Sequence, residues 1–131
     1  MGATPDSNKI TLLIPCYLND ICEAVFQAFG FNVLYGKSYG QMEEIIRLHG
    51  DDIDIAIEWQ RGPDFFPVRD LFGKYGVKAP IFLALNYYFR VPDDFAQLGF
   101  VDHLVVPFDL EEVEMKFRAT VSGEKAALVI F

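Results

Sequence analysis

The 131-residue chain lacks the long apolar run, the basic excess and the signal segment that mark several large classes of protein. No stretch approaches the roughly eighteen uncharged apolar residues of a membrane span. The first eight residues, MGATPDSN, lack the apolar segment of a secretory signal. The formal net charge is −8, whereas nucleic acids and anionic membranes bind clustered cations. We therefore expect a cytoplasmic protein with no direct contact to nucleic acid or membrane.

Metal ligands and catalytic groups are also scarce. The two cysteines, Cys16 and Cys22, form neither a disulfide framework nor a zinc pattern. The two histidines, His49 and His103, lie far apart and have no partner at metal-ligand spacing. No nucleophile–base pair or pair of carboxylates converges along the chain. We expect no metal, no cofactor, no small-molecule substrate and no enzymatic activity.

What the chain does contain is a regular alternation of apolar runs with amphipathic segments. Five runs have the length and composition of buried strands, at residues 9–15, 31–36, 53–59, 79–86 and 101–106. Strands separated by helical patterns of roughly ten to fifteen residues favour right-handed crossovers and a parallel sheet covered on both faces. The sequence therefore predicts an α/β fold, a three-layer doubly wound sandwich around a parallel five-stranded sheet. Sites in such folds form at the carboxyl ends of the strands.

The helices between these strands have recognisable ends. Asn19 or Asp20 can begin the first helix, and Gly30 can end it with a positive φ. Ser38 and Asp109 are predicted caps of the second and last helices. The third helix, in VRDLFGKYG, is expected to be interrupted at Gly73, and a weak fourth helix is expected to begin near Pro92.

The chain divides into one domain and two short ends. We expect residues 1–8 to be a disordered polar lead and residues 9–122 to form the domain. Residues 123–131 contain the apolar stretch KAALVIF, which predicts either an extra C-terminal strand or the start of a further segment.

Three stretches resemble the receiver domain of bacterial response regulators, which has a CheY-like, flavodoxin-like fold. They are GFNVLYGKSYGQMEEII (30–46), IAIEWQRGPD (55–64) and GFVDHLVVPFDLEEVEMKF (99–117). The resemblance extends over nearly the whole chain, and the last stretch is its most specific part. It implies that function is located at the carboxyl edge of the sheet.

The resemblance also implies which positions would form a phosphorylation site. A working receiver has an acidic pair, an aspartate that accepts the phosphoryl group, a hydroxyl residue and a lysine, because this transfer needs Mg²⁺ and a fixed cation. At the corresponding positions this chain has Pro15 with Ile14 or Cys16, then Glu58, then Ala84 or Leu85, and finally Val106. We therefore expect a degenerate pseudo-receiver in which Glu58 is not phosphorylated.

Glu58 itself has two interpretations at this point. A permanent carboxylate near the phosphate position would imitate the phosphorylated state. Alternatively, Glu58 is a polar residue at a strand end that is solvated or bonded to nearby backbone N–H groups.

By the same resemblance, the face formed by the fourth helix, fifth strand and fifth helix is the expected interaction surface. It would include Asp94, Phe95, Gln97, His103 and Glu114.

The leading hypothesis is a phosphorylation-independent signalling domain of a bacterial two-component-type pathway, which acts through a protein partner or a homodimer. The alternatives are a non-catalytic wing domain of a pyridoxal-phosphate-dependent basic amino-acid decarboxylase and a conventional phosphoaccepting response regulator. A flavin-binding module is disfavoured because PCYLND lacks a hydroxyl-rich phosphate loop.

Overall fold

The fold is a parallel five-stranded sheet with helices on both faces, in the strand order β2-β1-β3-β4-β5. The computed structural model describes residues 9–15, 20–59, 66–86, 93, 95–106 and 108–121. The strands are β1 (Thr11–Ile14), β2 (Asn32–Tyr35), β3 (Ile55–Trp59), β4 (Ile81–Asn86) and β5 (Asp102–Val106). The helices are α1 (Asp20–Ala28), α2 (Tyr39–His49), α3 (Pro67–Tyr75), α4 (Phe95–Leu98) and α5 (Leu110–Thr120), with a 3₁₀ turn at Gly50–Asp52. The predicted fold class is confirmed.

Each face of the sheet has its own apolar layer. On one face, Phe26 of α1 and Phe117 of α5 pack over residues that include Ile55 and Ile57. On the other face, α2, α3 and the α4 region cover a second set that includes Ala56. Because both faces are covered, the central strands consist almost entirely of apolar residues. Ile53, which precedes β3, packs in the second layer, so its side chain does not follow the alternation of Ile55 and Ile57.

The predicted helix ends are largely confirmed. Gly30 follows α1 with φ +91°. The Ser38 hydroxyl accepts a hydrogen bond from the Gln41 N–H at 3.1 Å, and the Asp109 carboxylate accepts one from the Glu112 N–H at 3.3 Å. These two side chains satisfy N–H groups that have no partner within their helices.

One expectation about the helices was wrong. Helix α3 continues through Gly73 without interruption and ends at Gly76, which has φ +70°. A glycine within a helix costs only about 1 kcal/mol relative to alanine, and the packing of α3 on the sheet outweighs that cost. The described part of α4 is a single turn, Phe95–Leu98, ended by Gly99 at φ +93°. Pro92 lies outside the described residues.

Several expectations fall on residues that the structure does not describe. They concern the lead 1–8, the tail 123–131 with its extra strand, Cys16 and Asp94. Within the described ranges, no helix is long and apolar enough to cross a membrane.

Gly36 and Gly73 give a matched test of the packing between β2 and α2. A Cβ atom at Gly36 would lie 2.7 Å from the Met42 Cα, whereas one at Gly73 would meet nothing within 4 Å. We expect Gly36→Ala to lower the free energy of unfolding by about 1–3 kcal/mol through overpacking. Gly73→Ala should raise it by about 0.5–1 kcal/mol through helix propensity. Urea titration measures both, and wild-type stability of Gly36→Ala would contradict the close approach of α2.

Candidate functional site

Glu58 is a buried carboxyl group near the carboxyl end of β3. The residue is 0% exposed, and Thr11 is the other polar residue that is buried in the described part of the chain. The Glu58 Oε1 atom accepts a hydrogen bond of 2.9 Å from the backbone N–H of Arg69. Glu58 therefore connects the end of β3 to the first turn of α3.

The sequence at the start of α3 explains why this helix needs an acceptor from elsewhere. Phe66 occupies the N-cap position, and no side-chain hydrogen bond is made there. Pro67 follows at the first helical position, where its missing N–H is not needed. The next N–H groups still require acceptors, because no carbonyl precedes them in the helix. The Glu58 carboxyl group, on the strand that precedes α3, accepts from the Arg69 N–H and so caps the helix.

The electrostatic surroundings favour the protonated form of Glu58. The pKa of Glu58 is raised from 4.5 to about 8, chiefly by burial. The nearby Asp70 carboxylate also raises this pKa, whereas the N–H groups of Arg69 and Val68 and the Arg69 guanidinium lower it. Oε2, the second carboxyl oxygen, is buried and has no hydrogen-bond partner among the described residues. Most molecules therefore carry a neutral Glu58 at pH 7.

This geometry bears directly on the two interpretations of Glu58. A phosphate mimic requires a negative charge at the edge of the sheet, whereas this carboxyl group is enclosed beneath α3 and favours the neutral form. Its hydrogen bond to a backbone N–H corresponds to the other interpretation. The solvated variant of that interpretation was wrong, because the side chain is inaccessible to water.

The other positions that the resemblance assigns to a phosphorylation site lie at or near the carboxyl ends of β1, β4 and β5. Pro15 is buried directly after β1, and Ala84 and Leu85 are buried in β4 on opposite faces of the sheet. Val106 is the last residue of β5 and pairs with Asn86. Cys16 lies outside the described residues. In the described ranges, no group of three or more His, Cys, Asp or Glu side chains could hold a metal ion.

The predicted interaction residues occupy two different places. Phe95 and His103 meet edge to face, with ring centroids 6.1 Å apart, and Gln97 is exposed nearby on α4. Glu114 instead pairs with Arg118 at 3.0 Å. Because Arg118 donates to the Phe29 carbonyl after α1, Glu114 lies on the flank of α5 that faces α1.

A polar group joins β5 to α5 beside His103. The Lys116 ammonium lies 3.3 Å from the Asp102 carboxylate and donates to the His103 carbonyl. The other Asp102 oxygen lies 3.4 Å from the His103 Nδ1 atom. These contacts place His103 between α4 and α5.

Sequence reasoning missed two features near these residues. Val101 and Val105 are 51% and 42% exposed, and they alternate with His103 along an edge strand. That alternation was a usable signal for a shared face. The second feature is Arg69, whose guanidinium donates to the Leu98 carbonyl at 3.3 Å. No local pattern indicates a contact between residues so far apart in the sequence.

Comparison with known proteins supports the fold. No family model matches the sequence, and no curated protein matches it. Among solved structures, chemotaxis protein CheY4 from Vibrio cholerae is similar with a TM-score of 0.67 and 16% identity, over 86% of this chain and 99% of that one. A response regulator receiver domain from Clostridium thermocellum gives a TM-score of 0.65 and 13% identity, over 85% and 93% of the two chains.

A third similar structure is a CheY-like response regulator receiver domain protein from Methanospirillum hungatei. It gives a TM-score of 0.61 and 15% identity, over 86% of this chain and 96% of that one. These likenesses span most of both chains in each case. The fold of this chain is therefore that of CheY-like receiver domains.

The buried carboxyl group predicts a specific dependence of stability on pH. The folded-state pKa of Glu58, about 8, lies above its usual value of 4.5, so the folded protein holds this proton between those two pH values. Its stabilising contribution is complete below about pH 4.5 and is lost as pH rises through 8. Glu58→Gln should remove this dependence and be more stable than wild type at pH 9, by on the order of 4 kcal/mol.

Urea unfolding at pH 5, 7 and 9 measures this effect. The exposed Glu111 of α5 serves as the control, because Glu111→Gln should leave the slope of stability against pH as it is in the wild type. A wild-type protein that gains stability between pH 5 and 9 relative to Glu58→Gln would contradict the buried, protonated carboxyl group.

Proposed function

We propose that this chain is a receiver-like signalling domain that acts through protein–protein contacts without being phosphorylated. It would be a non-enzymatic, cytoplasmic component of a two-component-type pathway. The observation that carries the proposal is the burial of Glu58, the residue at the phosphoacceptor-equivalent position, beneath the first turn of α3. A buried side chain that caps the N-terminus of a helix is not accessible to a phosphodonor.

The chemistry of phosphoryl transfer supports the same proposal. The reaction needs an accessible anionic carboxylate, a magnesium ion and a fixed cation for the developing charge. Glu58 is inaccessible and favours its protonated form. Apolar residues stand at the neighbouring positions, with Pro15 after β1 and Ala84 and Leu85 in β4, and Val106 carries no cation. Phosphorylation would also require loss of the hydrogen bond to Arg69.

The proposed contact region is the α4–β5 surface. We define it as the part of the domain formed by Phe95, Gln97, Val101, His103, Val105 and Lys116. In the described sheet β5 pairs only with β4, so no described strand covers its outer edge. Exposed apolar side chains on an open edge strand favour association with another protein. Met115 of α5, next to Lys116 in sequence, is 72% exposed and would extend the apolar area.

The absence of phosphorylation can be tested directly by NMR. Addition of Mg²⁺ with acetyl phosphate or beryllofluoride should leave the amide spectrum of the wild-type protein unchanged, because no accessible carboxylate is present to react. Glu58→Gln is the control, since shifts that occur in both proteins do not arise at Glu58. Saturable shifts centred on Glu58, present in the wild type and absent from Glu58→Gln, would contradict the proposal.

The α4–β5 surface can be tested with two matched exposed residues. Val105→Asp should weaken association because it places a charge on the open edge, whereas Leu48→Asp on α2, where Leu48 is 56% exposed, should not. Sedimentation over a range of concentrations measures self-association of the three proteins. If the wild type is a monomer, the same pair is compared in a complex with the partner protein. Equal effects of the two substitutions would contradict the assignment of this surface.

A further inference from the structure

The first turn of α3 contacts the end of α4 in two ways. The Phe66 ring meets the Phe100 ring edge to face, with centroids 5.2 Å apart. The Arg69 guanidinium lies 4.7 Å from the Phe66 ring centroid and donates to the Leu98 carbonyl. Since the backbone of Arg69 is bonded to Glu58, the same residue contacts both the buried carboxyl group and α4.

Aromatic contacts continue from this point to the α4–β5 surface. The Phe100 ring lies 6.2 Å from the Phe95 ring, and Phe95 meets His103 edge to face. The sheet provides a second connection, because Glu58 pairs with Leu83 and Leu83 pairs with His103 in one row across β3, β4 and β5. Glu58 is thus connected to His103 through its bond to the Arg69 backbone and then through contacts between side chains.

We propose that proton binding at Glu58 regulates the α4–β5 surface through Arg69 and the ring series Phe66, Phe100, Phe95 and His103. The importance of that surface for signalling rests on the proposed function. The coupling itself is a property of the isolated chain and can be measured without a partner. In one state Glu58 is neutral and caps α3 from within the fold. In the other state it has released its proton to solvent and is a carboxylate.

The surroundings of Glu58 explain why these two states differ in structure. Among the described residues, the charged groups near Glu58 are Arg69 and Asp70 on α3, and His103 lies two strands away in the same row. On β1 and β4 the neighbouring residues of this layer are Leu13 and Leu83, and α2 contributes Met42 and Ile46. Glu43 of α2 is already bonded to Lys74 and Tyr75.

Among the described residues, Arg69 is therefore the cation placed to respond to an ionised Glu58. The Arg69 guanidinium is held by the Leu98 carbonyl and lies 3.5 Å from Asp70. A carboxylate at Glu58, whose Oε2 has no partner among the described residues, would attract this guanidinium and weaken its bond to Leu98. Loss of that bond would free the end of α4 and move the Phe100 and Phe95 rings. Burial of the carboxyl group raises its pKa to about 8, so the change would occur close to neutral pH.

Side-chain and amide NMR of the full chain between pH 5 and 10 tests the coupling. The Glu58 Cδ signal reports its own ionisation, and the amides of Leu98 and Val105 report the end of α4 and the surface. We expect both amides to show an inflection at the midpoint of the Glu58 signal. In Glu58→Gln this inflection should be absent.

Phe100→Leu distinguishes coupling from a general response to pH. Glu58 should still titrate in this variant, but the amplitude of the linked inflection at Val105 should fall by about half or more, because the ring contacts are lost.

Three results would overturn the proposal. They are a Glu58 titration with flat Leu98 and Val105 signals, the same inflection in Glu58→Gln, and a Glu58 midpoint near 4.5. Because no partner or phosphodonor is present, these results are independent of the tests of the proposed function.

Discussion

A helix that begins without its own cap imposes the constraint on which the rest of this structure depends. The side chains of Phe66 and Pro67 at the start of α3 accept no hydrogen bond from the following N–H groups, and the first carbonyl of the helix, that of Phe66, is bonded to the Asp70 N–H. An N–H group buried without an acceptor costs about 1–3 kcal/mol. The carboxyl group of Glu58 provides the acceptor, and the enclosed position that makes this possible also favours its protonated form. The structural role and the altered acidity have the same cause.

This constraint also relates the chain to the receiver fold. The resemblance to receiver domains implies that the end of the third strand would carry the reacting group, which would have to be open to solvent and magnesium. In this chain the Glu58 side chain, which the resemblance assigns to that position, is buried under α3, and apolar residues occupy the neighbouring positions on β1 and β4. One glutamate cannot cap the N-terminus of α3 from within the core and also present a charged carboxylate at the surface. Under the proposed function, Glu58 therefore contacts the helix and takes no part in phosphoryl transfer.

The sequence predicted the architecture because its signals are local. Continuous apolar strands, capping residues at Ser38 and Asp109, and Gly30 after α1 each act on neighbouring residues, and together they determine the parallel sheet. The same local reasoning failed at Gly73, where packing of α3 against the sheet outweighs the low helix propensity of glycine. It also could not anticipate that Arg118 draws Glu114 toward α1.

The candidate site was only partly predictable for the same reason. The position of Glu58 near the end of strand three followed from the resemblance, but its enclosure depends on the contact with Arg69, eleven residues later, and on a layer contributed by several elements. The pairing of Phe95 with His103 likewise depends on where α4 packs. Contacts of this kind belong to the assembled fold, and no short segment of the sequence contains them.

The central claim is that the Glu58 carboxyl group holds the backbone N–H of Arg69. Hydrogen exchange at the Arg69 amide tests it most directly, with the Glu112 amide, which Asp109 caps, as an internal reference. The account predicts that Arg69 is strongly protected in the wild type and loses that protection in Glu58→Ala, while Glu112 is unchanged. An Arg69 amide that exchanges freely in the folded wild-type protein would contradict it.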